Sequence, residues 1–246
     1  MIRLMDEKDF PVFRENPFAV RICGLRAAYG TDARFALFWR QFSAGGEAVA
    51  WLSCCDGDFT LDVTGRADFS ELALFLQSVG ARSCLLPAKA AEVLPVEAGE
   101  TLTIFNRRDP GGMAAPAGPV DYPALYALLQ GGGGATAPPP YGVWYPDLCH
   151  RIRHGAAAAE ILRDGANRPV AAALAGFLAP QGALLSGVAV RPGERGKGFG
   201  RRAVQALMTR LPAGRPVFAL SREETAGFYA GLGFTPDGKA VQGEIK

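Results

Sequence analysis

Gly182 to Leu211 reads GALLSGVAVRPGERGKGFGRRAVQALMTRL and holds three elements in a row. Gly182–Val190 is a short apolar run of the length expected for a buried strand. Arg191–Gly200 is a turn dense in glycine and cations. Beyond it Phe199, Ala203, Leu207 and Leu211 recur at the spacing of one helix face. A strand, a glycine-rich cationic turn and a helix together make an anion cradle. The first turn of a helix leaves backbone N–H groups unpaired and carries partial positive charge. Gly196, Gly198 and Gly200 would let that backbone approach a phosphate with no Cβ in the way. Arg195, Lys197, Arg201 and Arg202 add full charges around it.

Two common phosphate loops fit this stretch poorly. A P-loop ends in Gly-Lys-Ser/Thr, whereas Gly196-Lys197 is followed by Gly198. The dinucleotide turn spaces its glycines G-x-G-x-x-G, and here the spacing is G-x-G-x-G, which disfavours a nucleotide-binding oxidoreductase. The run Arg195-Gly196-Lys197-Gly198-Phe199-Gly200, directly after a strand ending Val188-Ala189-Val190, resembles the Arg/Gln-x-x-Gly-x-Gly/Ala signature of the GNAT N-acetyltransferase superfamily. A second match follows in the right order. Pro216–Leu220 reads as the next strand, and Phe228-Tyr229-Ala230-Gly231-Leu232-Gly233-Phe234 resembles the Phe/Leu-Tyr-x-x-Leu-Gly-Phe ending of that family's closing helix.

The resemblance implies a function and a set of residues. The loop would wrap the pyrophosphate of coenzyme A, which makes Arg195, Gly196, Lys197, Gly198, Phe199, Gly200 and Arg201 expected cofactor contacts. The preceding strand would offer backbone N–H and C=O groups of Val188, Ala189 and Val190 to the pantetheine arm. A backbone N–H within Gly187–Val190 would stabilise the developing oxyanion. Tyr229 stands where the family has its general acid for the leaving thiolate, and a phenol with pKa near 10 is a donor at neutral pH. The implied reaction is acetyl transfer from acetyl-CoA to an amine of a small molecule or peptide by direct attack, with no metal.

Two departures from the family pattern matter. Many relatives carry a carboxylate on the central strand, but Ala183–Val190 has no acid, so Glu160 is the remaining candidate for general base; a water chain could equally take the proton. His150 and His154 are the only histidines, four apart on one helix face, with no third metal ligand placed beside them. An Asn expected before the closing helix is replaced by Ser221-Arg222, either of which could serve in cofactor binding. These departures keep a second reading open, an acyl-CoA-binding regulatory or scaffold protein with little or no turnover. Acidic residues on the acceptor wall would favour polyamines or aminoglycosides, and arginines would favour acids or peptide C-termini.

With 246 residues, 49% hydrophobic and 20% charged, the chain is large enough for two small domains with packed cores. A net charge of +2 is too balanced to argue for nucleic acid. The start, MIRLMDEKDF, lacks an apolar core of signal length, and no apolar run reaches a membrane span. Five cysteines without C-x-x-C spacing point to reduced, packed thiols and a cytoplasmic protein. The abundance of Ala, Gly and Arg suggests a GC-rich bacterial genome. A monomer and a homodimer are both compatible with the sequence.

Taken in order, the first half reads as a strand at Ile2–Met5, helices at Glu7–Arg14 and Pro17–Tyr29, and strands at Phe35–Gln41, Ala48–Cys55 and Phe59–Val63. A helix at Asp68–Val79 and a strand at Ser83–Pro87 complete it. The second half repeats the order, with a strand at Thr101–Asn106, helices at Tyr122–Gln130 and Trp144–His154, and a hairpin from Ala157–Arg163 to Pro169–Phe177 around Asp164-Gly165. The expectation is an α/β (α+β) tandem GNAT-like chain with a mixed central sheet flanked by helices, divided into 1–98 and 99–246. At the place of the cradle the first half has Val63-Thr64-Gly65-Arg66-Ala67-Asp68. An Asp N-cap there would occupy the same N–H groups and repel a phosphate, so the first half is expected to bind no coenzyme A and to wall the acceptor cleft or mediate a dimer. Gly131–Gly134 with Pro138–Pro140 reads as a surface loop, or as a lid gating the acceptor site.

Overall fold

In a computed structural model of the chain, residues 1–9, 14–108, 119–131 and 138–246 are described. The first half runs β1 (Ile2–Leu4), α1 (Pro17–Tyr29), β2 (Ala36–Phe42), β3 (Ala48–Cys55), β4 (Asp58–Val63), α2 (Phe69–Ser78), β5 (Ser83–Pro87), α3 (Ala88–Ala91) and β6 (Val96–Arg108). The second runs α4 (Tyr122–Gly131), α5 (Tyr141–Arg153), β7 (Ala158–Arg163), β8 (Pro169–Ala179), β9 (Gly182–Val190), α6 (Phe199–Met208), β10 (Pro216–Ser221), α7 (Glu223–Gly231) and β11 (Thr235–Ile245). Local chemistry sets many of these ends. Asn16 caps α1 by accepting the Ala19 N–H at 2.8 Å, and Pro17 opens the helix. Asp68 caps α2 in the same way through the Glu71 N–H. Asp56 and Gly57, both at positive φ, close the β3–β4 hairpin.

All the strands form one sheet in the order β1-β2-β3-β4-β5-β11-β6-β10-β9-β8-β7. Read inward from β2 or from β7, the pairing is the same. Two antiparallel steps lead to a parallel pair, β4 with β5 or β9 with β10, and then antiparallel steps reach the central β6–β11 pair. The chain is therefore a structural repeat, as its element order implies. One assignment changes. The predicted strand Thr101–Asn106 is part of β6, which lies in the centre of the sheet between β11 and β10 and is the counterpart of β11. It closes the first repeat rather than opening the second, and the 98/99 boundary falls inside it. The predicted helix Glu7–Arg14 begins instead with a turn in which the Asp9 N–H bonds the Asp6 carbonyl at 3.1 Å; residues 10–13 lie outside the described residues.

Helices cover both faces. On one face α6 packs on β7, β8 and β9, and α7 on β6, β10 and β11. Ala171, Ala173, Ala175, Ala183 and Leu185 of the sheet meet Ala203, Val204 and Leu207 of α6 there. The other face carries α4, α5 and α1. α1 belongs to the first repeat yet packs on β8 and β9 as well as on β2, β3 and β4. It is apolar nearly all round, with Phe18, Val20, Ile22 and Leu25 buried, because both repeats press on it. Gly24 lets it lie against β8, where a Cβ would stand 3.1 Å from the Leu178 carbonyl oxygen. Among the described residues no helix is long and apolar enough to cross a membrane.

Candidate active site

The sheet is open at one place in the second repeat. β9 pairs with β10 only where Ala183–Leu185 face Val217–Ala219. Beyond Leu185, the β8–β9 register shifts, with Leu174 opposite Gly187 and Ala175 opposite Leu185, so Ser186 is an extra residue. A bulge bends its strand and adds twist. β9 leaves β10 at this point, and Ser186–Val190 keep a backbone edge on that side with no strand beside it among the described residues. Of the expected contacts, Val188 and Val190 turn their backbone groups to this edge; those of Ala189 turn to β8, as the Arg191 N–H does in bonding the Val170 carbonyl at 2.9 Å.

The cradle follows at the end of the same strand. Pro192–Glu194 make a single 3₁₀ turn, and α6 begins at Phe199. Gly196 and Gly198 sit at φ of 76° and 80°, a region that only glycine enters freely. Gly198 is the N-cap, no side chain caps α6, and a Cβ on either glycine would meet nothing within 4 Å. The first N–H groups of α6 therefore have no side-chain cap, and the space beside both glycines is open. Arg201 and Arg202 are exposed beside them, with Arg202 over the Phe199 ring at 5.2 Å. Lys197 pairs with Glu194 at 2.9 Å, and Arg195 reaches the Val190 carbonyl at 3.4 Å. Gly200 has a different role from the one its spacing suggests. It is buried, and a Cβ there would stand 3.2 Å from Val190 and 3.3 Å from Phe228, so its smallness serves the packing of α6 on β9 and α7. The first repeat is built differently at this point, since Asp68 occupies the N-terminus of α2.

Tyr229 projects from α7 onto the α6 face. Its ring stacks on Phe105 at 5.7 Å and meets Phe228 and Phe234 edge-on at 5.2 and 5.7 Å. Its hydroxyl has no hydrogen bond among the described residues, and burial pushes its pKa up to about 12. Glu160 is not brought to it. Glu160 lies on edge strand β7 opposite Ala173, under α6, where it pairs with Arg210 at 2.9 Å. Tyr229 lies beyond the other side of α6, over β6 and β10. Glu160 thus stands on a strand two removed from β9, away from the open edge.

The other residues singled out are tied into the scaffold. The Ser221 hydroxyl bonds Thr225 Oγ1 at 2.8 Å, and Arg222 pairs with Glu100 of β6. His150 donates to the Ala28 carbonyl at 2.7 Å and stacks on Tyr29, while His154 donates to the His150 carbonyl. Among the described residues no three His, Cys, Asp or Glu side chains are grouped to hold a metal. The five cysteines are unbridged. The glycine run at 132–134 lies outside the described residues. A cavity of about 720 Å³ opens at the start of α7, walled by Glu100, Arg222, Glu223, Glu224 and Glu244, on the β6 side of β10 and away from β9. One group of residues carried no local sequence signal. Arg21, Tyr29, Asp147 and Arg151 meet across α1 and α5 on the face opposite α6.

Residues 130–234 match the family model described as "Acetyltransferase (GNAT) family", and this segment of the chain is a GNAT domain. Two solved structures, the GCN5-related N-acetyltransferases from Sphaerobacter thermophilus and Kribbella flavida, superpose with TM-scores of 0.60 and 0.58 at 15% and 13% identity. The first covers 100% of this chain and 96% of its own, the second 92% and 96%. A structure titled "Tandem GNAT protein from the clavulanic acid biosynthesis pathway (without AcCoA)" superposes at TM-score 0.54 and 15% identity over 99% of this chain and 98% of that one. At such identities these likenesses speak to the fold. No curated protein matches the chain.

Proposed function

We propose that this chain, whose second repeat is a GNAT domain, transfers the acetyl group of acetyl-CoA to an amine. The observation that carries the reading is the uncapped N-terminus of α6, with two glycines at positive φ in front of it, at the end of a strand edge that is open from a bulge onward. Bound there, acetyl-CoA would supply an acyl group activated as a thioester. The first N–H groups of α6, with Arg195, Lys197, Phe199 and Arg201 around them, hold the pyrophosphate. The backbone of Val188 and Val190 holds the extended arm as a neighbouring strand would, and an N–H within Gly187–Val190 polarises the carbonyl oxygen. Tyr229, kept protonated by its apolar surroundings, gives its proton to the leaving sulfur. The proton of the ammonium acceptor leaves to water along the exposed Ser186 edge. The first repeat holds no cofactor in this reading, because Asp68 already satisfies the N-terminus of α2, and its α1 walls the acceptor side.

Calorimetric titration of acetyl-CoA tests this. Binding in the micromolar range is expected, and Gly198→Glu should weaken it at least about tenfold by placing a carboxylate at a positive helix end. Gly198→Asn, which tolerates positive φ, should retain most of the affinity. Absence of acetyl-CoA binding by the parent chain would refute the reading and leave the cradle as a structural turn.

A further inference from the structure

Two guanidiniums flank one aromatic ring on the face of the sheet opposite α6. Arg21 of α1 stands 5.0 Å from the centre of the Phe177 ring, and Arg151 of α5 stands 4.9 Å from it. Arg151 is balanced. Its Nη2 pairs with Asp147, which also accepts the Tyr29 hydroxyl, and its Nη1 donates to the Gly176 carbonyl at 2.6 Å. Arg21 is the cation left over. It forms no salt bridge or hydrogen bond among the described residues. The Nε atoms of Arg21 and Arg151 are both shut off from solvent without a partner. Burial, and then the charge of Arg151, lower the pKa of Arg21; Asp58, Cys55 and Cys84 act the other way, but the Asp58 carboxylate is engaged by the Ser83 hydroxyl at 2.6 Å. Arginine does not escape by losing its proton, so a desolvated guanidinium without a counter-charge costs stability until an anion meets it.

Through Arg151 the pair reaches the start of the open edge of β9. The Ser186 hydroxyl overlaps the point where a Cβ on Gly176 would stand, and Arg151 Nη1 is 3.6 Å from the same point. Ser186 is exposed and begins the unpaired stretch of β9. Tyr229 and the cradle helix lie on the other face, so a ligand held by the two arginines approaches the gap between β9 and β10 from the side opposite the proton donor. Planar guanidiniums match the two oxygens of a carboxylate.

We propose that Arg21 and Arg151 bind the carboxylate of the acceptor, which is therefore an amino acid or a similar amine bearing a carboxylate. The inference rests on the acetyl-transfer reading of the same site. The test uses matched pairs: L-lysine and cadaverine, L-leucine and isoamylamine, L-phenylalanine and phenethylamine, with phosphoethanolamine alongside. Binding to the full chain is measured by calorimetry without acetyl-CoA, and acetylation by thiol release with it. In at least one pair the carboxylated member should bind about tenfold or more tightly. Arg21→Met should bring that preference below about twofold, leave acetyl-CoA affinity unchanged, and hold or raise the Tm of the unliganded protein, by about 2–4 °C where it rises. Arg21→Lys should keep part of the preference. The proposal is overturned if no pair shows the preference, if the preference survives Arg21→Met, if phosphoethanolamine or the bare amines bind best, or if Arg21→Met lowers Tm, which marks the residue as structural. Acetyl-CoA affinity is read separately, so failure of the acetyl-transfer reading is distinct from failure of the carboxylate site.

Discussion

Replacing Tyr229 with phenylalanine is expected to lower kcat by about 10²- to 10⁴-fold, the range for loss of a positioned proton donor, with acetyl-CoA affinity and Tm preserved. The ring contacts with Phe105, Phe228 and Phe234 survive the change, and the hydroxyl gives up no hydrogen bond among the described residues. Little but the proton is removed. The pH dependence sharpens the test. With its pKa pushed up to about 12, the phenol stays a donor throughout the neutral and mildly alkaline range, so kcat should show no alkaline limb near pH 10. Folding follows the same shift. A folded pKa above the unfolded value of about 10 gives stability that is complete below pH 10 and is lost as the pH rises from 10 towards 12. Tyr229→Phe removes that loss, and the variant should outlast the parent chain in denaturation at pH 10–11. Acetylation of the best acceptor in an amine panel, followed by thiol release, provides the rate. An undiminished kcat would remove Tyr229 from the chemistry and leave its ring as packing.

What the sequence disclosed follows the range of the interactions involved. The Asn16-Pro17 start of α1, the Asp68 cap and the Asp56-Gly57 turn are fixed by chemistry within a few residues, and each lies where the spacing puts it. The cradle was legible for the same reason, since a glycine-rich turn before a helix acts through its own backbone. The reason for Gly200 was not legible, because it depends on Phe228, brought beside it only by folding. β11 has Pro236, Gly238 and Gly243 and few apolar residues, and no periodicity marks it; it is a strand because β5 and β6 offer hydrogen bonds on both sides. α5 begins at Tyr141, before its predicted start at Trp144, since Pro140 is tolerated at the N-cap and Pro146 is carried within the helix. The pairing of Arg21 with Arg151 left no trace in the chain, because its members come from helices of different repeats. Glu160 shows the converse: residue type named it, and only the strand order could say which side of α6 it faces.

The second large effect is expected at the seam between the repeats. Gly243→Ala should cost about 2–4 kcal/mol and lower Tm accordingly. A Cβ there would overlap the Glu97 carbonyl oxygen and stand 2.8 Å from Val96 Cγ1 and 3.0 Å from the Glu97 carbonyl carbon. Two of these atoms are backbone of the paired strand, so relief requires β11 to move away from β6. The register leaves little slack, because the β11–β6 ladder shifts between Gln242 and Gly243, and a Cβ on Gly99, the extra residue of β6 at that shift, would itself stand 3.1 Å from the Gln242 carbonyl oxygen. Gly227→Ala is the control. It lies in α7 with nothing within 4 Å of its Cβ, and should stabilise the helix by about 0.5–1 kcal/mol. Far-ultraviolet and tryptophan signals recorded in one melt decide how the damage spreads. Trp51 reports the first repeat and Trp144 the second. Since β6 bonds β10, β11 bonds β5, and α1 of the first repeat packs on β8 of the second, the repeats have no independent way to unfold, and one coincident transition at lower temperature is the expected result. Two separated transitions would mean that the two repeats hold their own stability, and that the β6–β11 pair joins finished domains instead of completing each with a strand from the other.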